Sequence, residues 1–320
     1  MRVAVIGAGG IGGLYGGLLA RAGHNVGFLA RGDHLRAIQQ HGLRIQSQQF
    51  GTFSVNAPAS ADPNDLGRHN AELVLFAVKT FDLDQAASAA AALLAPNGCV
   101  VPFQNGVDAP DRLANVLGPE RVLIGTTGLE TTILEPGVIG HLSAGHYVFV
   151  GALHGPPTPV VAHVVETLRS AEINATQVDD GHRALWEKAY ILMPMATLTS
   201  VARAPIGPIR DLPETNALLE ALLDEVMAVG SAYGYGLPAA RDKARDIIHA
   251  WAYDGKASMA RDFERGNRTE LEALTGTLVR LADAKSVDVP VSRTAYALLK
   301  LRLQASAGHD MPIGAGATER

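Results

Sequence analysis

The sequence of 320 residues has a hydrophobic content of 47% and only 18% charged residues, which suffices for about two domains with substantial cores. The net charge of −5, without a Lys/Arg-rich run, argues against a nucleic-acid or membrane-surface partner, and no apolar stretch approaches a membrane-spanning length of about 20 residues. Cys99 is the only cysteine, so no intrachain disulfide can form, and we expect a soluble protein of the reducing cytoplasm.

The first predicted element is a buried strand, Arg2–Ile6, that leads directly into a turn with the pattern Gly-x-Gly-x-x-Gly. Residues without a β-carbon let the backbone turn tightly and approach a pyrophosphate, and the helix predicted at about 11–22 directs its N-terminal amides at the same phosphates. A second strand at 25–30 closes the unit. This context favours a dinucleotide site over a flexible glycine-rich turn, with contacts from Gly7, Ala8, Gly9, Gly10, Ile11 and Gly12.

The residue after the second strand predicts which dinucleotide binds. NAD enzymes place Asp or Glu here, roughly 20 residues past the glycines, to accept a hydrogen bond from the ribose 2′-hydroxyl. The chain has Arg31 instead, and a guanidinium suits a 2′-phosphate by charge and by bidentate geometry. NADP is therefore the predicted cofactor. An exposed loop arginine is the alternative, and Asp33 is counter-evidence.

Two later strands of the same predicted sheet end in polar residues. A buried strand at 72–79 ends in Lys79, and a strand from Cys99 leads into Gln104-Asn105-Gly106. Ligands in such sheets sit beyond the carboxyl ends of the strands, so we expect Lys79 beside the bound dinucleotide. Asn105 can reach its nicotinamide end with an amide donor and a carbonyl acceptor. A surface lysine and an ordinary Asn-Gly turn are the alternatives.

The chain changes character at Asp179-Asp180-Gly181. Strand-like segments precede this point, with a helix at about 159–171 and a last strand at about 174–178, whereas helical periodicity follows it. We therefore predict a dinucleotide-binding domain at 1–180 and a helical substrate and catalytic domain at 181–320. The tail from about 306, rich in Gly and Ala, is expected to be poorly ordered.

Three stretches of the helical half carry candidate chemistry. Lys188 lies in a predicted helix that runs into Pro194, and from there we expect it to face an interdomain cleft and protonate a substrate carbonyl as hydride arrives. A serine such as Ser258 can bind a substrate carboxylate, and Glu270 can hold the lysine charged and oriented. The alternatives are a solvated helix lysine, a helix N-cap at Ser258 and a capping box at 267–270.

The sequence resembles the ketopantoate reductase family, whose members reduce 2-dehydropantoate to pantoate with NADPH. The resemblance extends to about residue 303 and rests on Gly7-x-Gly9-x-x-Gly12, Arg31, Val78-Lys79, Gln104-Asn105-Gly106, Glu135-Pro-Gly-Val138, Leu185-Trp-x-Lys188, Ser258-Met259 and Thr269-Glu270. It implies an α/β fold in which a Rossmann domain precedes an all-α domain. It further implies that Lys188 is the general acid, that Ser258 contacts the substrate and that Glu270 touches the cofactor or supports Lys188. Lys79 and Asn105 are implied as cofactor contacts, and Asn105 as a substrate contact also.

Several positions depart from the family pattern, and all of them concern the substrate. They are Leu192, Ala196, Ile206 and Thr275, which stand where the family has asparagine, and Gly255, where a further polar side chain is usual. We expect Leu192 and Ile206 to line an apolar substrate pocket. Each substrate hydrogen bond lost there costs about 1 to 3 kcal/mol, so the substrate need not be 2-dehydropantoate.

Other functions stay open at this point. The same fold suits a D-2-hydroxyacid dehydrogenase for bulky apolar 2-oxo acids, and the loss of the asparagines also allows a protein that binds NADP without turnover. A histidine acid at His141, His146 or His182 is a further hypothesis, although none of them lies in a motif that requires it. No cluster has metal-ligand spacing. The apolar positions of 218–233 suit the face of a homodimer as well as the domain's own core.

Overall fold

The computed structural model describes residues 1–66, 70–236 and 238–306. The chain divides into two compact units, the first comprising Met1–Lys188 and the second beginning at Ala189. The division falls inside one continuous helix, Gly181–Ala202, which starts where the sequence changes character. The tail that the sequence predicts to be poorly ordered after residue 306 lies outside the described residues.

The first unit alternates strands and helices. Its strands are β1 (Arg2–Ile6), β2 (Asn25–Leu29), β3 (Leu43–Ser47), β4 (Gly51–Val55), β5 (Ala59–Ser60), β6 (Ala71–Phe76), β7 (Leu94–Pro102), β8 (Leu123–Gly128), β9 (Thr131–Glu135), β10 (Val138–His141), β11 (Tyr147–Ala152) and β12 (Ala175–Gln177). Its helices are α1 (Gly10–Arg21), α2 (Gly32–His41), α3 (Pro63–Leu66), α4 (Leu83–Leu93), α5 (Ala109–Leu117) and α6 (Pro159–Ser170).

The central sheet is parallel, with the strand order β5-β2-β1-β6-β7. Its middle strand is β1, whose residues Val3–Ile6 are at most 1% exposed, as expected of a parallel strand that is covered on both faces. The glycine-rich turn therefore lies at the middle of the carboxyl edge of the sheet, where ligands of doubly wound folds bind. The predicted strand, turn, helix and strand at the start of the chain are confirmed.

Two smaller sheets complete the first unit. One has the order β4-β3-β10-β9, in which β10 pairs parallel to β3, and the other has the order β12-β11-β8. A parallel bridge between Val100 and Val122 joins the latter to β7. Cys99 is buried in β7, and this burial raises the pKa of its thiol to about 12, so the side chain packs as the small apolar group that the sequence predicts.

One predicted strand is too long. The strand β6 ends at Phe76 rather than at Lys79, and Lys79 lies beyond it, just before a 3₁₀ turn at Thr80–Asp82. Where the chain leaves the sheet, the side-chain amide of Gln104 donates to the carbonyl oxygens of Phe76 and Val78, at 3.0 and 2.8 Å. Lys79 therefore lies in the segment that connects β6 to the 3₁₀ turn rather than on the strand itself.

The second unit is helical throughout its described residues, as the sequence predicts. Its helices are α7 (Gly181–Ala202), which enters it from the first unit, α8 (Ile206–Asp211), α9 (Pro213–Ala232), α10 (Pro238–Ala250), α11 (Ser258–Glu264), α12 (Thr277–Lys285) and α13 (Pro290–Ser306), with a π-helical turn at Glu272–Gly276. The predicted helix that runs into Pro194 continues beyond it to Ala202, because the buried residues Met193–Ser200 hold the segment in the core despite the missing backbone N–H. In the described part of the chain, every helix is too short or too polar to cross a lipid bilayer.

Candidate functional site

The turn between β1 and α1 depends on three glycines for different steric reasons. Gly7 has a φ of +95°, and a β-carbon there would lie 2.8 Å from the backbone nitrogen of Val78. A β-carbon at Gly12 would collide with the carbonyl oxygen of Gly7. Gly9 differs from both, because, apart from Gly9 itself and the adjoining backbone, no heavy atom of the described residues lies within 4 Å of the position that its β-carbon would occupy. Gly7 and Gly12 therefore shape the turn, whereas Gly9 leaves a backbone surface open.

The open surface coincides with the start of helix α1. Gly9 is the N-cap residue of this helix, and no side chain caps the helix there. Amides in the first turn of a helix carry partial positive charge and bind phosphates. The geometry of the turn thus fits the pyrophosphate of a dinucleotide, which agrees with the prediction from the glycine pattern.

Arg31 and Asp33 lie at the carboxyl end of β2, where the sequence places the choice between NADP and NAD. Arg31 is exposed and occupies the N-cap position of helix α2. Asp33 lies in the first turn of the same helix and forms an ion pair with Arg36, one turn further on. The carboxylate that argues against NADP is therefore directed along its own helix, and this geometry weakens the counter-evidence.

The polar residues after β6 and β7 are linked through Gln104. Its side-chain amide donates to the carbonyl groups of Phe76 and Val78, and its Oε1 atom is buried with no hydrogen-bond partner among the described residues. Lys79 is exposed and Asn105 is half-buried. The Ala77–Val78 backbone also packs against Gly7, so this segment borders the glycine-rich turn. The sequence identifies Lys79 and Asn105 but misses this role of Gln104, for which the only signal is a glutamine at the end of a buried strand.

His34 connects the glycine-rich turn to a second turn, which contains Gly137 and joins β9 to β10. Its Nε2 atom lies 2.8 Å from the carbonyl oxygen of Ala8, and the backbone N–H of Gly137 donates to its Nδ1 atom at 3.0 Å. Because Nδ1 accepts, Nε2 carries the proton and donates to Ala8. Burial lowers the pKa of His34, so the neutral ring is favoured. No sequence pattern marks this residue, because Gly137 lies 103 positions away along the chain.

Lys188 lies half-buried on helix α7. Steps of four residues place Leu192 and Ala196 on the same helix face. Leu192 keeps part of its surface exposed, whereas Ala196 is completely buried. Ile206 is also completely buried, and its backbone N–H donates to the carbonyl of Gly255 at 2.9 Å. Leu192, Ala196 and Ile206 are apolar where the family pattern has asparagine. Leu192 alone of these three residues keeps part of its surface accessible.

Ser258 and Glu270 have opposite environments. Ser258 is exposed and is the first residue of α11. The N-cap residue of this helix is Ala257, so Ser258 is not the helix N-cap that the sequence offers as an alternative. Glu270 is only 4% exposed, and its backbone carbonyl oxygen accepts hydrogen bonds from the N–H groups of Ala273 and Leu274, at 3.1 Å each. Asn267 caps no helix; its N–H donates to the carbonyl of Asp262 at 2.9 Å, which rules out the capping box.

The π-helical turn at Glu272–Gly276 follows Glu270 directly. Within it, the hydroxyl of Thr275 shares a hydrogen bond of 2.8 Å with the hydroxyl of Thr197, and both residues are buried. Turns of this kind occur frequently at functional sites. The hydroxyl of Thr275 is therefore hydrogen-bonded within the second unit, and its burial keeps it from contacting a substrate as the asparagine of the family pattern would.

The histidines that the sequence offers as alternative acids have structural surroundings. His141 hydrogen-bonds Ser47 at 2.9 Å, and the N–H of Asn174 donates to the Nε2 atom of His146 at 2.9 Å. Both rings pack against Phe50, and burial lowers the pKa of each. The Nε2 atom of His182 lies 3.8 Å from a carboxylate oxygen of Asp111. Among the described residues, no group of His, Cys, Asp and Glu is arranged to hold a metal ion.

The parallel sheet with a glycine-rich turn after its middle strand, followed by a helical unit, defines a Rossmann-fold protein with an all-α C-terminal region. The family model described as ketopantoate reductase PanE/ApbA matches residues 3–155, and its C-terminal counterpart matches residues 180–303. The chain belongs to the ketopantoate reductase family. It is therefore an oxidoreductase acting on CH–OH groups, in a family of reductases that depend on a pyridine nucleotide.

Individual relatives match over nearly their whole length. The chain is 32% identical to a 2-dehydropantoate 2-reductase of Halobacterium salinarum, over 94% of this chain and 98% of that protein. It is 30% identical to one of Archaeoglobus fulgidus, over 93% and 97%. A crystal structure of a ketopantoate reductase from Ralstonia eutropha JMP134 superposes with a TM-score of 0.88 at 32% identity, covering 96% of this chain and 100% of that one. A D-mandelate dehydrogenase solved with NADH and anilino(oxo)acetate shares the fold, with a TM-score of 0.87, 18% identity and coverage of 96% and 100%.

Proposed function

We propose that this protein is an NADPH-dependent reductase that converts 2-dehydropantoate, or a related 2-oxo acid, to the corresponding alcohol. The observation that carries the proposal is the family match over both parts of the chain, at 3–155 and 180–303. The candidate catalytic residues Lys188, Ser258 and Glu270 all fall within the second matched region. Their retention favours turnover over a protein that only binds the dinucleotide.

The geometry of α2 supports NADPH over NADH. Arg31 is exposed at the N-cap of α2, where a guanidinium can pair with the 2′-phosphate of the adenosine ribose. Asp33 would otherwise favour the 2′-hydroxyl of NAD, but its carboxylate forms an ion pair with Arg36 on the same helix. Gly9 and the first turn of α1 are proposed to bind the pyrophosphate, and Lys79 and Asn105 the nicotinamide half.

The proposed chemistry needs a hydride and a proton. The reduced nicotinamide supplies the hydride when the cofactor is bound. Lys188 holds the proton on its Nζ atom and donates it to the oxygen of the substrate carbonyl, because an ammonium is a strong donor with no acceptor site. The hydroxyl of Ser258 binds the carboxylate of the substrate. Glu270, buried at 4% exposure, is proposed to hold Lys188 charged and oriented or to contact the cofactor.

Leu192 favours a second candidate substrate class. It lies one turn beyond Lys188 on the same face of α7 and keeps part of its surface exposed. A partly exposed leucine beside the proposed acid suits an apolar substrate side chain better than the hydroxyl of 2-dehydropantoate, which would lose a partner at a cost of about 1 to 3 kcal/mol. The second candidate is therefore a D-2-hydroxyacid dehydrogenase for bulky apolar 2-oxo acids.

The test measures NADPH oxidation with 2-dehydropantoate, phenylpyruvate and 2-oxoisovalerate, for the wild type and for Lys188→Ala. We expect Lys188→Ala to lower kcat by at least about 100-fold while the Kd for NADPH stays within about twofold. Lys243→Ala, which removes an exposed lysine of α10, is the matched control and should leave both values unchanged.

Each outcome decides between the candidates. A preference for 2-dehydropantoate supports the first substrate class, and a preference for the apolar acids supports the second. Unchanged kcat in Lys188→Ala overturns the role of the lysine. Tight NADPH binding without oxidation of any substrate identifies a protein that binds the dinucleotide without catalysis. Cytoplasmic location and a homodimer stay predictions of the sequence.

A further inference from the structure

The glycine-rich turn is proposed to bind phosphate through backbone amides, so that role depends on how each peptide group is oriented. The carbonyl of Ala8 and the N–H of Gly9 belong to one planar peptide group and point in opposite directions. Whatever fixes the Ala8 carbonyl therefore also fixes the Gly9 N–H. In this structure the Nε2–H group of His34 donates to that carbonyl at 2.8 Å.

The ring of His34 is itself fixed from the other side. The N–H of Gly137 donates to its Nδ1 atom at 3.0 Å, and the carbonyl of Gly137 accepts from the N–H of Arg44 in β3 at 2.9 Å. Gly137 has a φ of +81°, and a β-carbon there would lie 2.9 Å from the β-carbon of Ala37 in α2. The second turn thus packs closely on the helix that carries His34, and the imidazole has little freedom to rotate.

Two further hydrogen bonds of the glycine-rich turn involve peptide groups other than the one between Ala8 and Gly9. The N–H of Gly7 donates to Leu29 at 3.1 Å, and the N–H of Gly13 donates to the carbonyl of Gly9 at 2.7 Å. The first bond holds the peptide group between Ile6 and Gly7, and the second holds the group between Gly9 and Gly10, which directly follows the Ala8–Gly9 group. Gly9 is also the glycine with an open surface, so its amide is the one next to which a ligand has room.

We propose that His34 is a positioning residue that holds the Ala8 carbonyl away from the ligand and thereby directs the Gly9 amide at a phosphate of the dinucleotide. The inference rests on the proposed function, because it takes the glycine-rich turn as the phosphate site. The side chain does not touch the cofactor. Its effect passes through one peptide bond.

Three variants separate the two hydrogen bonds of the ring. His34→Gln retains a side-chain N–H near the position of Nε2, His34→Asn retains only an acceptor near Nδ1, and His34→Phe retains the volume but neither bond. The Kd for NADPH is measured by calorimetric titration, and the unfolding temperature is measured without cofactor. We expect the Kd to rise by about tenfold or more in His34→Phe and His34→Asn, and to stay within about threefold of the wild type in His34→Gln.

A second ligand distinguishes orientation of the turn from general loss of structure. Adenosine 2′-monophosphate offers a phosphate to Arg31 but none to Gly9, so its Kd should be the same in all variants. His41→Phe, at the exposed end of the same helix, is the control and should bind both ligands like the wild type.

The outcomes are separable. Absence of NADPH binding by the wild type overturns the proposed function and the inference with it. Wild-type affinity in His34→Phe overturns the inference alone, and so does failure of His34→Gln to bind better than His34→Asn. An equal loss of affinity for both ligands that follows the unfolding temperature shows a purely structural role. Should His34→Phe not fold, the comparison of the glutamine and asparagine variants still decides the question.

Discussion

The carboxylate of Glu225 accepts hydrogen bonds from both the backbone N–H and the hydroxyl of Ser292, at 2.8 and 2.5 Å. Its other oxygen accepts from the N–H of Val291 at 2.7 Å. These groups begin helix α13, whereas Glu225 belongs to α9 and is only 8% exposed. A carboxylate from one helix therefore caps the positive end of another, which joins the two helices inside the second unit.

Replacement of this carboxylate should destabilise the protein. Glu225→Gln places an NH₂ group against backbone donors, so at least one buried hydrogen bond is lost, and we expect the free energy of unfolding to fall by about 1 to 3 kcal/mol in urea denaturation. Asp224→Asn alters the neighbouring residue, whose side chain is 66% exposed in its ion pair with Arg241, and should change stability by less than about 1 kcal/mol. Equal effects of the two variants would refute the capping role.

Replacement by alanine should have different effects at two glycines of the glycine-rich turn. Gly9→Ala adds a methyl group to open space at an ordinary φ of −70°, so stability should change by less than about 0.5 kcal/mol while the Kd for NADPH rises by about tenfold or more. Gly12→Ala forces a methyl group against the Gly7 carbonyl and should lower the free energy of unfolding by about 2 kcal/mol or more. Thermal unfolding and titration with NADPH measure both. An unchanged Kd for NADPH in Gly9→Ala would show that the pyrophosphate does not bind at Gly9.

The choice of cofactor should depend on Arg31. Arg31→Ala removes the charge proposed to face the 2′-phosphate, and we expect the KM for NADPH to rise by about tenfold or more because a charged hydrogen bond is worth about 1.5 to 3 kcal/mol. NADH lacks that phosphate and is the internal control, so its KM should stay within about twofold. A parallel rise in both KM values would show that Arg31 supports the structure of α2 instead.

The buried histidine pair should make the first unit sensitive to acid. Burial lowers the pKa values of His141 and His146 below the ordinary value of 6.5, so below pH 6.5 the unfolded chain binds protons that the folded protein does not. Stability should then be constant above that pH and decrease as the pH falls below it, by at most about 1.4 kcal/mol per pH unit for each histidine. Urea denaturation at several pH values measures the slope. His146→Gln should flatten it, whereas His163→Gln, at an exposed position of α6, should not.

The first part of the fold could be predicted because its signals are local. The apolar run of β1, the glycines of the turn and Arg31 all lie within the first 31 residues, and the structure places them in one strand–turn–helix–strand unit and directly after it. The register of β10 beside β3 could not be predicted, because it depends on packing between segments that are distant in sequence. The same reason hides His34, whose partners lie in two different turns.

The candidate site of the second unit shows where residue types mislead. Ser258 and Asn267 have the side chains of helix caps, yet backbone and tertiary contacts decide where α11 and the following turn begin. A proline inside a helix ordinarily interrupts it, yet the buried apolar residues around Pro194 continue the helix to Ala202. Local propensity is a small term, and tertiary packing overrides it at each of these positions.

The parallel pairing of β10 with β3 also affects the growing chain. His141 is aligned with Ser47, although 94 positions separate them. During synthesis from the N-terminus, β3 and its hairpin partner β4 emerge long before β10, so one edge of the hairpin stays unpaired while residues 56–137 are translated. Leu43 and Ile45, which are fully buried in the finished protein, lack their final neighbours during this interval. Aggregation through this edge is therefore a hazard of the nascent chain and ends once residues 138–141 have left the ribosome and paired.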